Sequence, residues 1–116
     1  MATPSETRLL ETVRLEEKLA EFARERDWDR FHTPRNLLLA LTGEVGELTE
    51  IFQWLTDGEA ETIMASDKAE HVRQEVADVF LYLMRLAMVL GIDLDAAVQN
   101  KIVMNAQKYP AIEKST

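Results

Sequence analysis

The segment from Lys68 to Leu90 constrains the fold most, because it has a helical period and is apolar nearly all round. One stripe holds Val72, Val76, Val79, Phe80, Leu83, Leu86 and Leu90, and the opposite side holds Ala77, Leu81, Met84 and Met88. Such a helix must be covered on every side, and a chain of 116 residues offers too few partners for that. We therefore expect a homo-oligomer, a homodimer or a homotetramer, with this helix packed between subunits.

The beginning of the chain carries a signal for helix entry. Thr3, Pro4 and Glu6 match a capping box with proline at the first helical position, and this predicts a helix from Pro4 to about Arg26. The link over residues 26–32 holds two aromatic residues and a histidine, and such loops often carry function. The alternative is that the two rings only plug the end of the helical bundle.

The same signal recurs at Thr33 and Pro34, which open a central helix that ends near Leu55. Residues 59–66 form a short connector. We find no strand period, internal repeat or low-complexity tract in the sequence, so the predicted class is all-α.

Two further helices follow the connector. Ser66 or Asp67 caps the helix that ends at Leu90, and Gly91 stops it in a position that tolerates a left-handed conformation. Asp93 starts the last helix, which runs to roughly Gln107. The prediction is a four-helix bundle over one domain, residues 1–116, completed by homo-oligomerisation.

Two pairs of acidic residues lie beside apolar stripes. The core stripe predicted for the central helix consists of Leu38, Leu41, Val45, Leu48, Phe52 and Leu55. Glu44 falls on the shoulder of that stripe with Glu47 one step further round, and Glu75 and Asp78 repeat the spacing on the next long helix. Two such helices can bring four carboxylates to one point, and this set of oxygens suits a hard divalent cation such as Mg²⁺. The alternative is four ordinary solvated residues.

The charge balance limits the partners. Asp and Glu number 21 against 13 Lys and Arg, a net charge of −8, which disfavours nucleic acid as a partner. With no cysteine there is neither a disulfide framework nor a thiolate metal site. The sequence holds no apolar run of transmembrane length and no secretory signal pattern. We expect a cytoplasmic protein without a membrane partner.

The chain resembles the all-α nucleoside triphosphate pyrophosphohydrolases, the MazG-like group, through its two acidic pairs. Within that group it is most similar to the dCTP pyrophosphatase branch. The segments that carry this similarity are Glu25-Arg26-Asp27-Trp28, Phe31-His32, Pro34-Arg35-Asn36-Leu37-Leu38-Leu39-Ala40-Leu41, Phe52-Gln53-Trp54 and Lys108-Tyr109-Pro110. The resemblance covers about Leu19 to Pro110, and it departs in the N-terminal helix and in the connector after Asp57.

The resemblance implies Mg²⁺-dependent cleavage of a nucleoside triphosphate between its α and β phosphates, with dCTP or a base-modified dCTP as substrate. Metal held by Glu44, Glu47, Glu75 and Asp78 would neutralise the triphosphate, polarise the phosphorus and lower the pKa of an attacking water. Glu47 is the first choice for the carboxylate that orients or deprotonates the water.

The substrate needs contacts at both ends. Lys101, Asn105 and Lys108 share one side of the last helix and suit the β and γ phosphates, although lysine is also favourable near any helix C-terminus. At the base end, aromatic faces supply stacking and polar edges supply selectivity. The candidates are Trp28 and Trp54 as walls, His32 at the base edge and Tyr82 beside the sugar.

Two other functions remain open at this point. One is a non-catalytic helical oligomer that binds nucleotide or metal as a sensor or binds a protein partner. The other is a related enzyme that prefers dUTP or a damaged base. Uncompensated buried carboxylates cost several kcal/mol, which argues against a purely structural bundle.

Overall fold

The computed structural model describes residues 7–113, and this part of the chain contains helices and connecting turns but no strand. The helices are α1 Val13–Glu25, α2 Pro34–Phe52, α3 Asp57–Glu61, α4 Ala69–Val89 and α5 Leu94–Lys108, with a 3₁₀ turn at Ile63–Ala65. The predicted all-α class is confirmed, and α1, α2, α4 and α5 correspond to the four predicted helices. No helix in the described range is both long and apolar enough to cross a membrane.

The ends of the later helices follow their capping residues. The hydroxyl oxygen of Thr33 accepts a hydrogen bond from the backbone N–H of Asn36 at 3.2 Å, as the sequence predicts for an N-cap. The Asp93 carboxylate caps α5 in the same way, and Gly91 adopts a φ of 69° after α4. The N-cap of α4 is Lys68 rather than the predicted Ser66 or Asp67. The hydroxyl oxygen of Ser66 accepts a hydrogen bond from the backbone N–H of Lys68, just before the helix begins.

The predicted first helix is not continuous, because residues 8–12 are not helical and α1 begins at Val13. Thr3, Pro4 and Glu6, which predict the helix entry, lie outside the described residues. The backbone N–H groups of Leu9 and Leu10 donate to Oδ1 of the buried Asp95, at 2.6 and 3.0 Å. Because these donors bind the carboxylate of Asp95, 85 residues later in the chain, the segment before α1 lies across the start of α5 and does not extend the helix.

Helices α2 and α4 form the central pair, and α1 packs on α4. Leu37 and Met84 are fully buried at 2% and 0% exposure, whereas the predicted core residues Leu38 and Val45 are 53% and 44% exposed. The inward face of α2 is therefore rotated from the predicted stripe towards Leu37, Glu44 and Ile51. Its buried and half-buried residues are Leu37, Ala40, Leu41, Glu44, Leu48, Ile51 and Phe52.

Much apolar surface remains open in one copy of the chain. Val76, Phe80 and Leu83 of α4 are 41–51% exposed, although the sequence pattern places them in a core stripe. Every residue from 100 to 113 is exposed. The Cα radius of gyration is 18.0 Å, against roughly 13 Å for a compact chain of this length. One copy of the chain is thus more extended than a compact domain of this length.

Candidate active site

Three carboxylates meet between α2 and α4. Glu44, Glu75 and Asp78 each place an oxygen within 4.8 Å of the others. The rotated register of α2 explains this meeting, because it turns Glu44 inward towards α4 instead of leaving it on the edge of the stripe. We call these three residues the acidic cluster.

The acidic cluster contains buried oxygens without partners. Oε2 of Glu44 and Oε2 of Glu75 are buried and accept no hydrogen bond from the described residues. The nearest cationic candidate is His71, whose Nε2 lies 3.4 Å from Oε1 of Glu75. Buried carboxylate oxygens without donors are costly, so this arrangement favours occupation by a cation.

The environment of Glu44 also disfavours a negative charge. Burial of its carboxyl is the largest cause of a pKa raised to about 7. The negative charges of Glu47, Asp78 and Glu75 follow in that order. A divalent ion would remove both causes, since it replaces lost hydration and neutralises the repulsion.

Glu47 lies beside the cluster rather than within it. Its side chain is exposed and borders a cavity of about 420 Å³ together with Glu50, Ile51, Lys68 and His71. It still acts on Glu44 through its charge. The structure therefore brings three of the four predicted carboxylates together and places the fourth at their border.

An apolar cavity of about 250 Å³ borders the acidic cluster at Asp78. It is lined by Leu19, Phe22, Ala23, Trp28, His32, Asp78, Leu81, Tyr82 and Arg85. The Trp28 ring meets His32 at 5.8 Å between centroids and Phe22 edge-on at 5.4 Å. Three predicted substrate residues, Trp28, His32 and Tyr82, thus share one cavity, which we call the aromatic cavity.

One residue joins the two features. Asp78 belongs to the acidic cluster and also lines the aromatic cavity. Along α4 the side chains follow spacings of three and four, which keep them on one face of the helix. In chain order they are His71, Glu75, Asp78, Tyr82 and Arg85.

The remaining predicted substrate residues lie elsewhere in the protomer. Trp54 follows the end of α2, is 86% exposed and lies outside the aromatic cavity. Lys101, Asn105 and Lys108 are exposed along α5 and line neither cavity beside the cluster. The roles of these four residues stay predictions.

Sequence reasoning missed Arg85 and His71. Arg85 lies seven residues after Asp78 and His71 four before Glu75, so both share the helical face of the acidic pair. Extending the spacing of that pair along α4 would have found them. Their partners are less accessible from sequence, because Asp29 and His32, which bind Arg85, lie in an irregular link.

The sequence of the chain matches a protein family and several described proteins. Residues 40–116 match the model of the MazG-like family. dCTP pyrophosphatase 1 of Homo sapiens is 53% identical over 93 residues, which cover 79% of this chain and 55% of that protein. The Rattus norvegicus dCTP pyrophosphatase 1 is 50% identical over 93 residues, with coverages of 78% and 54%. The chain therefore spans about half the length of the curated relatives it matches.

A solved structure agrees over a larger share of its length. A crystal structure of a pyrophosphatase from Archaeoglobus fulgidus superposes with a TM-score of 0.78 at 40% identity. The match covers 84% of this chain and 91% of that one. The fold and the chain segment that holds both acidic pairs are thus shared with proteins described as pyrophosphatases.

Proposed function

The chain belongs to the MazG-like family, and from this premise we propose that it hydrolyses a nucleoside triphosphate, preferably dCTP or a base-modified dCTP, to the monophosphate and pyrophosphate. The observation that carries the proposal is the position of Asp78 in both the acidic cluster and the aromatic cavity. A base held in the aromatic cavity has its phosphates next to the only described group of carboxylates that can hold a metal ion. The names of the relatives support dCTP as the substrate.

Mg²⁺ is the proposed cofactor, and Glu44, Glu75 and Asp78 are the residues that would hold it. Their oxygens fit a hard cation, since they converge and two of them are buried without a donor. When bound, Mg²⁺ would neutralise phosphate charge and activate the α-phosphorus towards water. Glu47 stands outside the cluster with an exposed carboxylate, and this position supports its role as the group that orients or deprotonates the water.

The aromatic cavity is proposed to hold the base. The Trp28 face stacks on a planar ring, His32 offers a polar edge, and Tyr82 lies between these groups and the acidic cluster along α4. An apolar lining with few polar groups is typical of a small-molecule site.

Self-association is part of the proposal. Apolar residues of α4 and α5 are exposed to solvent in one copy of the chain, and packing against a second copy would bury them. Gly43 and Gly46 of α2 have open space where a side chain would begin, which leaves room for a second helix to approach closely. A homodimer or homotetramer would bury these surfaces, and the α5 residues Lys101, Asn105 and Lys108 would then reach the phosphates of a neighbouring copy. The cytoplasmic location stays a prediction.

A nucleotide panel with product analysis tests the function. The protein is incubated with Mg²⁺ and each of dCTP, 5-methyl-dCTP, dUTP, dTTP, dATP and dGTP, and the products are identified by ³¹P NMR. We expect monophosphate and pyrophosphate, with the cytosine nucleotides turned over fastest. Diphosphate plus phosphate would contradict the proposed bond cleavage. Binding without turnover would favour the sensor alternative, and a preference for dUTP would reassign the substrate.

A further inference from the structure

Arg85 is fixed from two sides at the wall of the aromatic cavity. Its Nε donates a hydrogen bond to Nδ1 of His32 at 3.0 Å, and its Nη2 donates to Oδ1 of Asp29 at 2.7 Å. The Arg85 side chain is only 13% exposed, whereas Asp29 is 58% exposed. The guanidinium is therefore held in one orientation, with its Nε edge directed at the imidazole.

This contact determines which tautomer His32 adopts. A guanidinium has donors and no acceptor, so the His32 nitrogen facing Arg85 must accept and carries no proton. The imidazole is then neutral, and its proton is on Nε2. Burial is the first cause that lowers the pKa of His32, the charge of Arg85 is the second, and Asp29 acts in the opposite direction. Both main causes favour the neutral ring that the hydrogen bond requires.

The Nε2–H group of His32 is available to a ligand. His32 lines the aromatic cavity and packs against the Trp28 ring. In the described part of the chain, its side chain has no hydrogen bond other than the one from Arg85. A donor with a fixed direction, beside a stacking face and with no protein acceptor, is a typical recognition element for the edge of a flat heterocycle.

We propose that Arg85 is a positioning residue that holds His32 as a neutral Nε2–H donor directed at ring nitrogen N3 of the base, and thereby selects bases in which N3 is an acceptor. This inference rests on the proposed function. N3 of cytosine accepts a hydrogen bond, whereas N3 of uracil and of thymine carries a hydrogen. The donor therefore favours cytosine nucleotides, and it opposes uracil and thymine nucleotides by leaving two donors facing each other.

The tautomer itself is tested by long-range ¹H–¹⁵N NMR of the imidazole side chains in the nucleotide-free protein at neutral pH. The chain has only two histidines, and a His71→Gln variant identifies the signals of His32. We expect Nδ1 in the range of an unprotonated acceptor and Nε2 in the range of a protonated nitrogen. A proton on Nδ1, or a doubly protonated ring, would overturn the inference. This spectrum needs neither turnover nor an Arg85 variant.

Selectivity is tested by comparing kcat/KM for dCTP, dUTP and dTTP in wild type and Arg85→Met. The ratio of dCTP to either competitor should fall by about 5- to 150-fold, the equivalent of 1–3 kcal/mol for a polar group left without its partner. The change should appear in KM more than in kcat, and the two His32 nitrogens should approach the shifts of a free imidazole.

The matched control is Arg73→Met on the same helix, because Arg73 is 60% exposed and pairs with the exposed Glu70 at 3.3 Å. It should change neither the ratio nor the spectrum. An active Arg85→Met enzyme that keeps the wild-type ratio would overturn the inference alone. Lack of turnover by the wild type would instead overturn the proposed function. If Arg85→Met does not fold, the wild-type spectrum still decides whether His32 is the neutral Nε2–H donor, and any other protonation state overturns the inference.

Discussion

The acidic cluster and the aromatic cavity share Asp78, yet their polar groups are satisfied to opposite degrees. In the cavity, His32 accepts from Arg85, and Arg85 also binds Asp29. In the cluster, Glu44 and Glu75 each bury an oxygen that has no partner among the described residues. The cavity is thus organised without a ligand, whereas the cluster is electrostatically incomplete without a cation.

This difference indicates separate roles for the aromatic cavity and the acidic cluster. A cavity whose polar side chains are fixed by mutual hydrogen bonds selects a ligand by shape and by the one donor left unpaired, the Nε2–H of His32. Repulsion between the carboxylates of the cluster destabilises the metal-free fold, and a bound cation removes that repulsion. The predicted effects of substitutions therefore differ between the two regions, in kind as well as in size.

The largest expected effect is on turnover when the cluster loses a member. Glu75→Gln should reduce kcat by more than about a hundredfold, because even partners one step outside a metal's ligands cost about 10- to 100-fold when lost. Glu47→Gln should reduce kcat as well, with Mg²⁺ binding retained. Glu70→Gln on the same helix is the matched control, since Glu70 is exposed and pairs with Arg73. Full activity in Glu75→Gln would contradict the cluster's role, provided that circular dichroism shows unchanged helicity.

A smaller effect is expected at the cavity. Trp28→Ala should raise KM for dCTP by about 5- to 150-fold, since stacking on a base is worth about 1–3 kcal/mol, and should leave kcat comparatively unaffected. The measurement is steady-state kinetics at saturating Mg²⁺. Trp54→Ala is measured beside it to separate one copy from two, because Trp54 is 86% exposed and lies outside the cavity of its own copy. An equal rise in Trp54→Ala would show that a second copy completes the base end, and an unchanged KM in Trp28→Ala would contradict the base site.

The smallest expected effect is on stability as a function of pH. The pKa of Glu44 is raised from 4.5 to about 7 in the fold, so the folded protein holds the proton more tightly than the unfolded chain does. Its stabilising contribution is fully present below pH 4.5 and is lost as pH rises through about 7. The metal-free protein should therefore melt at a lower temperature at pH 8 than at pH 5, as followed by circular dichroism.

Glu44→Gln provides the comparison for that experiment, because glutamine does not ionise. It should remove this part of the pH dependence and raise the melting temperature of the metal-free protein at pH 8. Mg²⁺ should raise the melting temperature of the wild type at pH 8 and have little effect on the variant. Equal pH profiles of wild type and Glu44→Gln would contradict the electrostatic cost assigned to the cluster.

Local signals in the sequence were sufficient for most helix boundaries. Thr33, Gly91 and Asp93 act where their backbone and capping chemistry predicts, because these effects depend on a few neighbouring residues. The start of α1 was not accessible in this way. It depends on Asp95, which draws the backbone donors of Leu9 and Leu10 away from a helical arrangement.

The candidate site was predictable as far as helical spacing determines it. The pairs Glu44-x-x-Glu47 and Glu75-x-x-Asp78 identified the right helices, but the register error on α2 placed Glu44 at the edge of the core stripe instead of inside it. Which face of α2 is buried depends on how the neighbouring helices pack against it, and this packing is not determined by the sequence of α2 alone. The hydrogen bond from Arg85 to His32 was not predictable from spacing, because the two residues lie 53 positions apart in the chain.

The most direct test of the central claim is the position of a bound divalent ion. Crystals grown with Mn²⁺ in place of Mg²⁺ are measured at the manganese absorption edge, and the anomalous difference map locates the ion. The account predicts a peak within coordination distance of carboxylate oxygens of Glu44, Glu75 and Asp78, on the side that faces the aromatic cavity. A peak elsewhere, or these three carboxylates turned apart into solvent with no ion between them, would contradict it.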